Sequence, residues 1–230
     1  ADSAVAIAPA NREALRVQTT IGRTVQSAAD VTLGWSDDSD DNVMWWQVVS
    51  ATTPLSNRVR GFGSVGAFEG SSTPSVTAAR GTAEWGATYT QDRWQLTGAL
   101  GVQGLWPEAG VARSVLTGRL GAIYRIQPAV GVGVSYAHFP FAETAYLIGA
   151  DIDIDAVDAT VDATLGSGLS LSAGGGTGWY SDGNRRGSAV LAVTKQLPRH
   201  FFVGGLARMV WYADTEPGYF SPDRFTVVEA

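Results

Sequence analysis

Cysteine is absent from all 230 residues, which excludes a disulfide scaffold and a thiolate metal site together. Charge is scarce too: acidic and basic residues make up 17%, where a soluble domain carries about a quarter. The net charge of −6 and the low isoelectric point argue against nucleic acid as a partner. No run approaches the roughly 18 apolar residues that a membrane helix needs. The opening Ala1-Asp2-Ser3-Ala4 has no basic region and no apolar core, so no signal peptide is read there.

What is abundant is glycine, at 28 residues, together with eight tryptophans, seven tyrosines and eight phenylalanines. Mean hydropathy is nevertheless close to zero. Many apolar residues with a neutral average imply dispersal by alternation, as in strands whose every second residue meets lipid. The alternation is explicit. Trp94, Leu96, Leu100 and Val102 share one strand face, against Gln95, Thr97, Ala99 and Gly101. Leu116 and Leu120 oppose Thr117 and Arg119, and Val130, Val132 and Val134 oppose Gly131, Gly133 and Ser135. Leu171 and Trp179 oppose Ser170 and Ser172, while Val203, Met209 and Trp211 oppose Gly204 and Arg208. Period two over ten or so residues is not a helix face.

Such runs match the nine to eleven residues, roughly, that cross a bilayer at a tilt of about 45°. Aromatics gather at run ends (Trp35, Trp45, Trp94, Tyr124, Tyr136, Trp179, Trp211), as interfacial girdles do. Short turns, near 54, 91, 127, 167 and 198, alternate with longer polar loops at 36–42, 69–77, 106–112, 138–149, 181–186 and 213–218. Outer-membrane barrels keep this rhythm, with short periplasmic turns and long outside loops. The expectation is therefore all-β: an antiparallel transmembrane β-barrel of about twelve strands over residues 25–230, in the outer membrane of a Gram-negative-type cell. The lipid bilayer is its expected partner. Residues 1–24 are read as a lead-in segment or an extra strand, since Leu15, Val17, Thr19 and Ile21 alternate. Closure is expected through the first and last strands, near Val31 and Val227, with a share in a larger barrel as the alternative.

Two motifs carry a resemblance. Tyr180-Ser181-Asp182-Gly183-Asn184-Arg185-Arg186 and Gly218-Tyr219-Phe220-Ser221-Pro222-Asp223-Arg224-Phe225 are similar to stretches in the C-terminal barrel of the cellulose-synthase operon protein C family. That resemblance implies an export porin for a linear polysaccharide, with a glycan polymer and other cell-envelope proteins as partners and no catalysis. In that family further strands follow the second motif, whereas this sequence stops at Ala230. The alternative function is a structural or adhesive surface barrel within a larger outer-membrane assembly.

Residues with chemistry to offer are few. Asp151, Asp153 and Asp155 imitate a calcium loop, but Ala156 stands where an EF-hand needs glycine. The plainer reading is a lumen-facing acidic ladder of Asp153, Asp155, Asp158 and Asp162, with Arg113, Arg119 and Arg208 as partners and Thr117 beside them. The acidic run Asp37–Asn42 reads as a solvated loop tip. Gly174–Gly178 lacks the Lys-Ser/Thr of a phosphate loop and reads as strand glycines that leave room for neighbours. Of the two histidines, His138 and His200, neither stands in a serine-hydrolase signature. No enzyme activity, metal or cofactor is expected.

Overall fold

The computed structural model describes residues 26–37, 42–72, 76–197, 201–214 and 224–229. The segment 1–24, His200 and the Tyr219-Phe220-Ser221-Pro222 motif lie outside the described residues. The elements are β1 (Ala28–Asp37), β2 (Val43–Pro54), β3 (Val59–Ser72), β4 (Val76–Gln91), β5 (Trp94–Pro107) and β6 (Arg113–Gln127). There follow β7 (Val130–Pro140), the short helix α1 (Ala145–Gly149), β8 (Asp153–Leu165), β9 (Leu169–Tyr180), β10 (Arg185–Gln196), β11 (Phe202–Tyr212) and β12 (Arg224–Glu229). All twelve strands form one antiparallel meander in which each pairs with its neighbours in sequence.

The strands are long: β4 has 16 residues, β6 has 15 and β5 has 14. An ordinary strand has about five or six. They overrun the lengths expected from apolar alternation. Residues 69–72 and 76–77, expected in a loop, continue the β3–β4 ladder through Ser72↔Val76. Trp106 and Pro107 likewise extend β5, and His138 to Pro140 extend β7. Backbone pairing does not need apolar side chains, so the ladder runs on where the alternation has stopped. The connections at 55–58, 92–93, 128–129 and Gly166–Gly168 share one end of the meander, as expected from the sequence. Those at 108–112, 141–152 and 181–184 lie at the other.

Pairing register divides the side chains into two faces. One face is exposed and apolar; Leu116, Leu120, Leu100 and Trp85 are more than half exposed on it. Leu96, Leu116, Leu120, Val132 and Leu171 all belong to it, and Thr97, Thr117, Arg119 and Ser170 belong to the other. That second face is covered toward the loop end. There Leu105 and Ile154 are wholly buried. The cover is the 141–152 connection, which folds over the sheet and brings α1 against β3, β4 and β5. Its other side meets Tyr180 of β9 and packs near Tyr212 of β11. In a flat sheet, β3 and β9 would stand about 29 Å apart at roughly 4.8 Å per strand. One short segment touches both, so the sheet curls around it.

The ladder expected between residues near Val31 and Val227 is not formed among the described residues. There, β1 pairs only with β2, and β12 only with β11. Among the described residues, the outer edges of these two strands have no ladder partner. Closure through the first and last strands is therefore not shown; the described residues form a curled twelve-stranded sheet.

Candidate functional site

The covered face is where polar groups converge. Thr52, Ser64, Thr82, Glu84, Thr88 and Thr97 stand on it by register, with Arg60, Arg80, Arg113, Arg119, Arg186 and Arg208. Arg119 reaches from β6 past β5 to Glu84 on β4, Nε to Oε2 at 3.0 Å and Nη2 to Oε1 at 2.8 Å. The span is possible because β5 offers Ala99 and Gly101 beneath it; a Cβ at Gly101 would lie 2.7 Å from Thr117 Oγ1. Phe62 of β3 lies under the same guanidinium, 5.1 Å from its centre, and Arg80 sits 3.9 Å over the Phe68 ring.

The acidic ladder expected from the sequence is split by register. Asp158 and Asp162 stand on the covered face, paired across to Gly176 and Ser172 of β9. Asp158 occupies space that Gly176 vacates, its Oδ1 standing where a Cβ of residue 176 would be. Asp155 instead shares the exposed face with Tyr136 and His138, because positions of odd and even number cannot share one side of a regular strand. Its Oδ1 accepts from Tyr136 OH at 2.5 Å and lies 3.1 Å from His138 Nδ1. The lumen placement of Asp155 is therefore corrected. Asp153, at the start of β8, has the parity of Asp155 and so leaves the ladder with it, although it ion-pairs with Arg113 at 3.1 Å, one of the partners the sequence suggested. Arg119 takes Glu84 rather than an aspartate of β8. Arg208 lies on the covered face, paired across to Val190 of β10.

The 141–152 connection is built locally. Thr144 caps α1, its Oγ1 accepting from Leu147 N–H at 3.3 Å, and Phe141 N–H closes the base on Ile152 C=O at 2.8 Å. Two apolar clusters hold it. Ala142, Ala145 and Ile148 meet Ala78, Leu105 and Val115 of β4 to β6; Phe141, Leu147 and Ile152 meet Ile154, Ala156 and Tyr180 of β8 and β9. Polar latches add to this: Arg80 Nη1 donates to Ala142 C=O at 2.9 Å, and Arg113 Nη1 stands 2.8 Å from Asp151 Oδ1. Sequence reasoning placed a loop here but not its inward fold. The available signal was the apolar content of Phe141, Ala142, Ala145, Leu147 and Ile148 within an otherwise polar set of loops.

The Ser181-Asp182-Gly183-Asn184 motif forms a tight turn. Gly183 takes a φ of +98°, the left-handed region that glycine adopts freely. Asn184 N–H donates to Asp182 Oδ1 at 3.1 Å, and Ser181 Oγ accepts from Asp153 N–H at 3.0 Å. Asn184 also clasps the next connection, donating from Nδ2 to Asp214 C=O at 2.8 Å and accepting from Asp214 N–H at 3.2 Å. These side chains direct their polar groups to backbone, which makes the turn a structural tie between neighbouring hairpins. No metal-binding cluster of His, Asp and Glu occurs among the described residues. No protein-family model and no curated protein matches the chain.

Proposed function

We propose that the chain is an outer-membrane β-barrel that serves as a passive conduit for export of a polysaccharide. One observation carries the membrane part of this reading. On the exposed face of β5, Trp94 and Trp106 bracket Leu96, Gly98, Leu100, Val102 and Gly104, with no polar side chain between them. The twelve steps from Trp94 to Trp106, at about 3.3 Å each, span roughly 40 Å along the strand. A tilt of about 45° brings that to about 28 Å of depth, close to the roughly 25 Å apolar band of such barrels. Neighbouring strands extend the pattern: Trp35, Trp45 and Trp106 lie on one continuous register row through Glu69 and Ala79. Charges on this face, such as Glu69, Asp155, Arg185 and Lys195, fall toward strand ends.

The conduit part rests on the polar covered face and on the resemblance of the Tyr180–Arg186 stretch to a polysaccharide-export family. Hydroxyls, glycines and paired charges suit a weakly binding passage for a hydrated polymer. The deciding experiment is single-channel conductance in planar bilayers, with and without glucan oligomers. Stepwise conductance that the oligomers block supports the reading, and inserted protein without any conductance defeats it. A structural or adhesive barrel within a larger assembly is the second reading. The packed 141–152 segment, and the lack of a ladder between β1 and β12 among the described residues, favour it.

A further inference from the structure

We infer that residues 141–152 are a hinged stopper: they stay attached on the β8–β9 side and release on the β3–β6 side to open the loop end. The inference rests on the conduit reading. It comes from an asymmetry between the two clusters that hold the segment. Toward β8 and β9 the contacts are large: Phe141, Leu147 and Ile152 against Ile154 and Tyr180, with the Phe141 and Tyr180 rings edge to face at 5.2 Å. Toward β4 to β6 they are small, since Ala142 and Ala145 supply two of the segment's three buried residues there. An alanine buries little apolar surface, so this seam separates at less cost than the other.

What reinforces the seam is polar, and at Asp151 it is open to water. Arg80 holds the Ala142 carbonyl at 2.9 Å. Arg113 holds Asp151 at 2.8 Å, while its bonds to Asp153 at 3.1 Å and to the Ile152 carbonyl at 3.3 Å lie at the fixed base. The Asp151 side chain is 79% exposed, so its ion pair is screened by solvent and salt. No strand ladder crosses the seam among the described residues; the two sides approach at Gly70, where a Cβ would stand 3.9 Å from that of Ala145. The base of the segment is different. It is pinned by the Phe141–Ile152 backbone bond and continues directly into β7 and β8. One side is thus anchored through the chain and the other through latches.

The seam is tested by locking it. The chain has no cysteine, so Gly70→Cys with Ala145→Cys introduces the only thiols, at a Cβ separation within disulfide range. Full-length protein in planar bilayers is compared as wild type, as this pair oxidised with diamide and then reduced, as Arg113→Ala, and with 142–151 replaced by a Gly-Ser linker. The stopper predicts silence on oxidation and recovery with dithiothreitol. It also predicts about a tenfold higher open fraction for Arg113→Ala, the change expected when one marginal latch is lost. The linker variant should be continuously open. Equal, non-zero conductance in all four, with each protein folded by circular dichroism, overturns the stopper and leaves the conduit standing. Silence of every variant, the linker form included, in protein shown to be inserted, overturns the conduit reading and the stopper with it. A lower melting temperature for Arg113→Ala without any rise in open fraction makes the latch structural only and also overturns the stopper.

Discussion

Arg119 on β6 and Glu84 on β4 form a two-pronged ion pair across the intervening strand, with both contacts between 2.8 and 3.0 Å. The geometry is the parallel fork in which guanidinium and carboxylate match best. The two side chains are 49% and 30% exposed, so solvent screens much of the attraction. A double-mutant cycle of Arg119→Ala and Glu84→Ala should give a coupling of roughly 0.5–1 kcal/mol, shrinking in high salt. Zero coupling at low salt would contradict the fork.

The two faces should respond oppositely to charge. Leu120→Arg places a cation on the exposed face near mid-strand and should cost about 2–4 kcal/mol of folding into bilayers. Thr117→Arg, on the covered face across from Gly101, should cost less than half of that. Urea-induced unfolding from lipid vesicles measures both. Equal costs would remove the basis for assigning the exposed face to lipid.

Gly86 cannot take a side chain. A Cβ there would collide with the Gly98 carbonyl oxygen and lie 2.6 Å from the Phe62 ring. Backbone cannot yield as a flexible side chain does, so Gly86→Ala should destabilise by about 1–3 kcal/mol. Gly166, where an added methyl would meet nothing within 4 Å, is the matched control and should tolerate alanine. Thermal melts of the two variants in detergent compare them directly.

At the loop end, Thr77 N–H and Oγ–H both donate to Glu108 Oε2, at 3.0 and 2.9 Å. Chiefly the backbone bond, and then the hydroxyl, hold the Glu108 carboxyl below its ordinary value, with slight burial opposing. A carboxyl whose folded value is depressed adds stability that is present above its unfolded value. That stability is lost as pH falls through the folded value. Thr77→Val removes the hydroxyl and keeps the N–H, so it should return the carboxyl only part of the way. A carbon-detected NMR titration of Glu108 follows this. Identical titration in both proteins would exclude the hydroxyl as a cause.

The strand content and the facing of residues were legible because alternation is a local property. Leu116, Thr117, Arg119 and Leu120 take the sides their spacing dictates. Parity also explains the error at Asp155: acid content suggested one ladder, but a spacing of three between Asp155 and Asp158 crosses the sheet. Glu84 was visible as a lone charge opposite Trp85, yet its partnership with Arg119 depends on which strands lie two apart. The 141–152 fold was not legible for a different reason. Its apolar residues follow no period, and their burial depends on contacts with strands distant in sequence. The Ser181–Asn184 motif stood out in letters, but only its bonds to Asp153 and Asp214 give those letters a structural role.

The unbroken sequential meander has a kinetic consequence. When each strand pairs only with its neighbours, ladder formation closes only short loops, and pairing can spread hairpin by hairpin. The contact between Ala145 and the strand bearing Gly70 is an exception, joining residues far apart in sequence. Its ordering entropy is offset only once β3 to β7 have already assembled. The seam should therefore be the last region to gain amide protection during refolding and the first to lose it. Pulsed hydrogen exchange that found α1 protected before the β3–β4 hairpin would reverse that order.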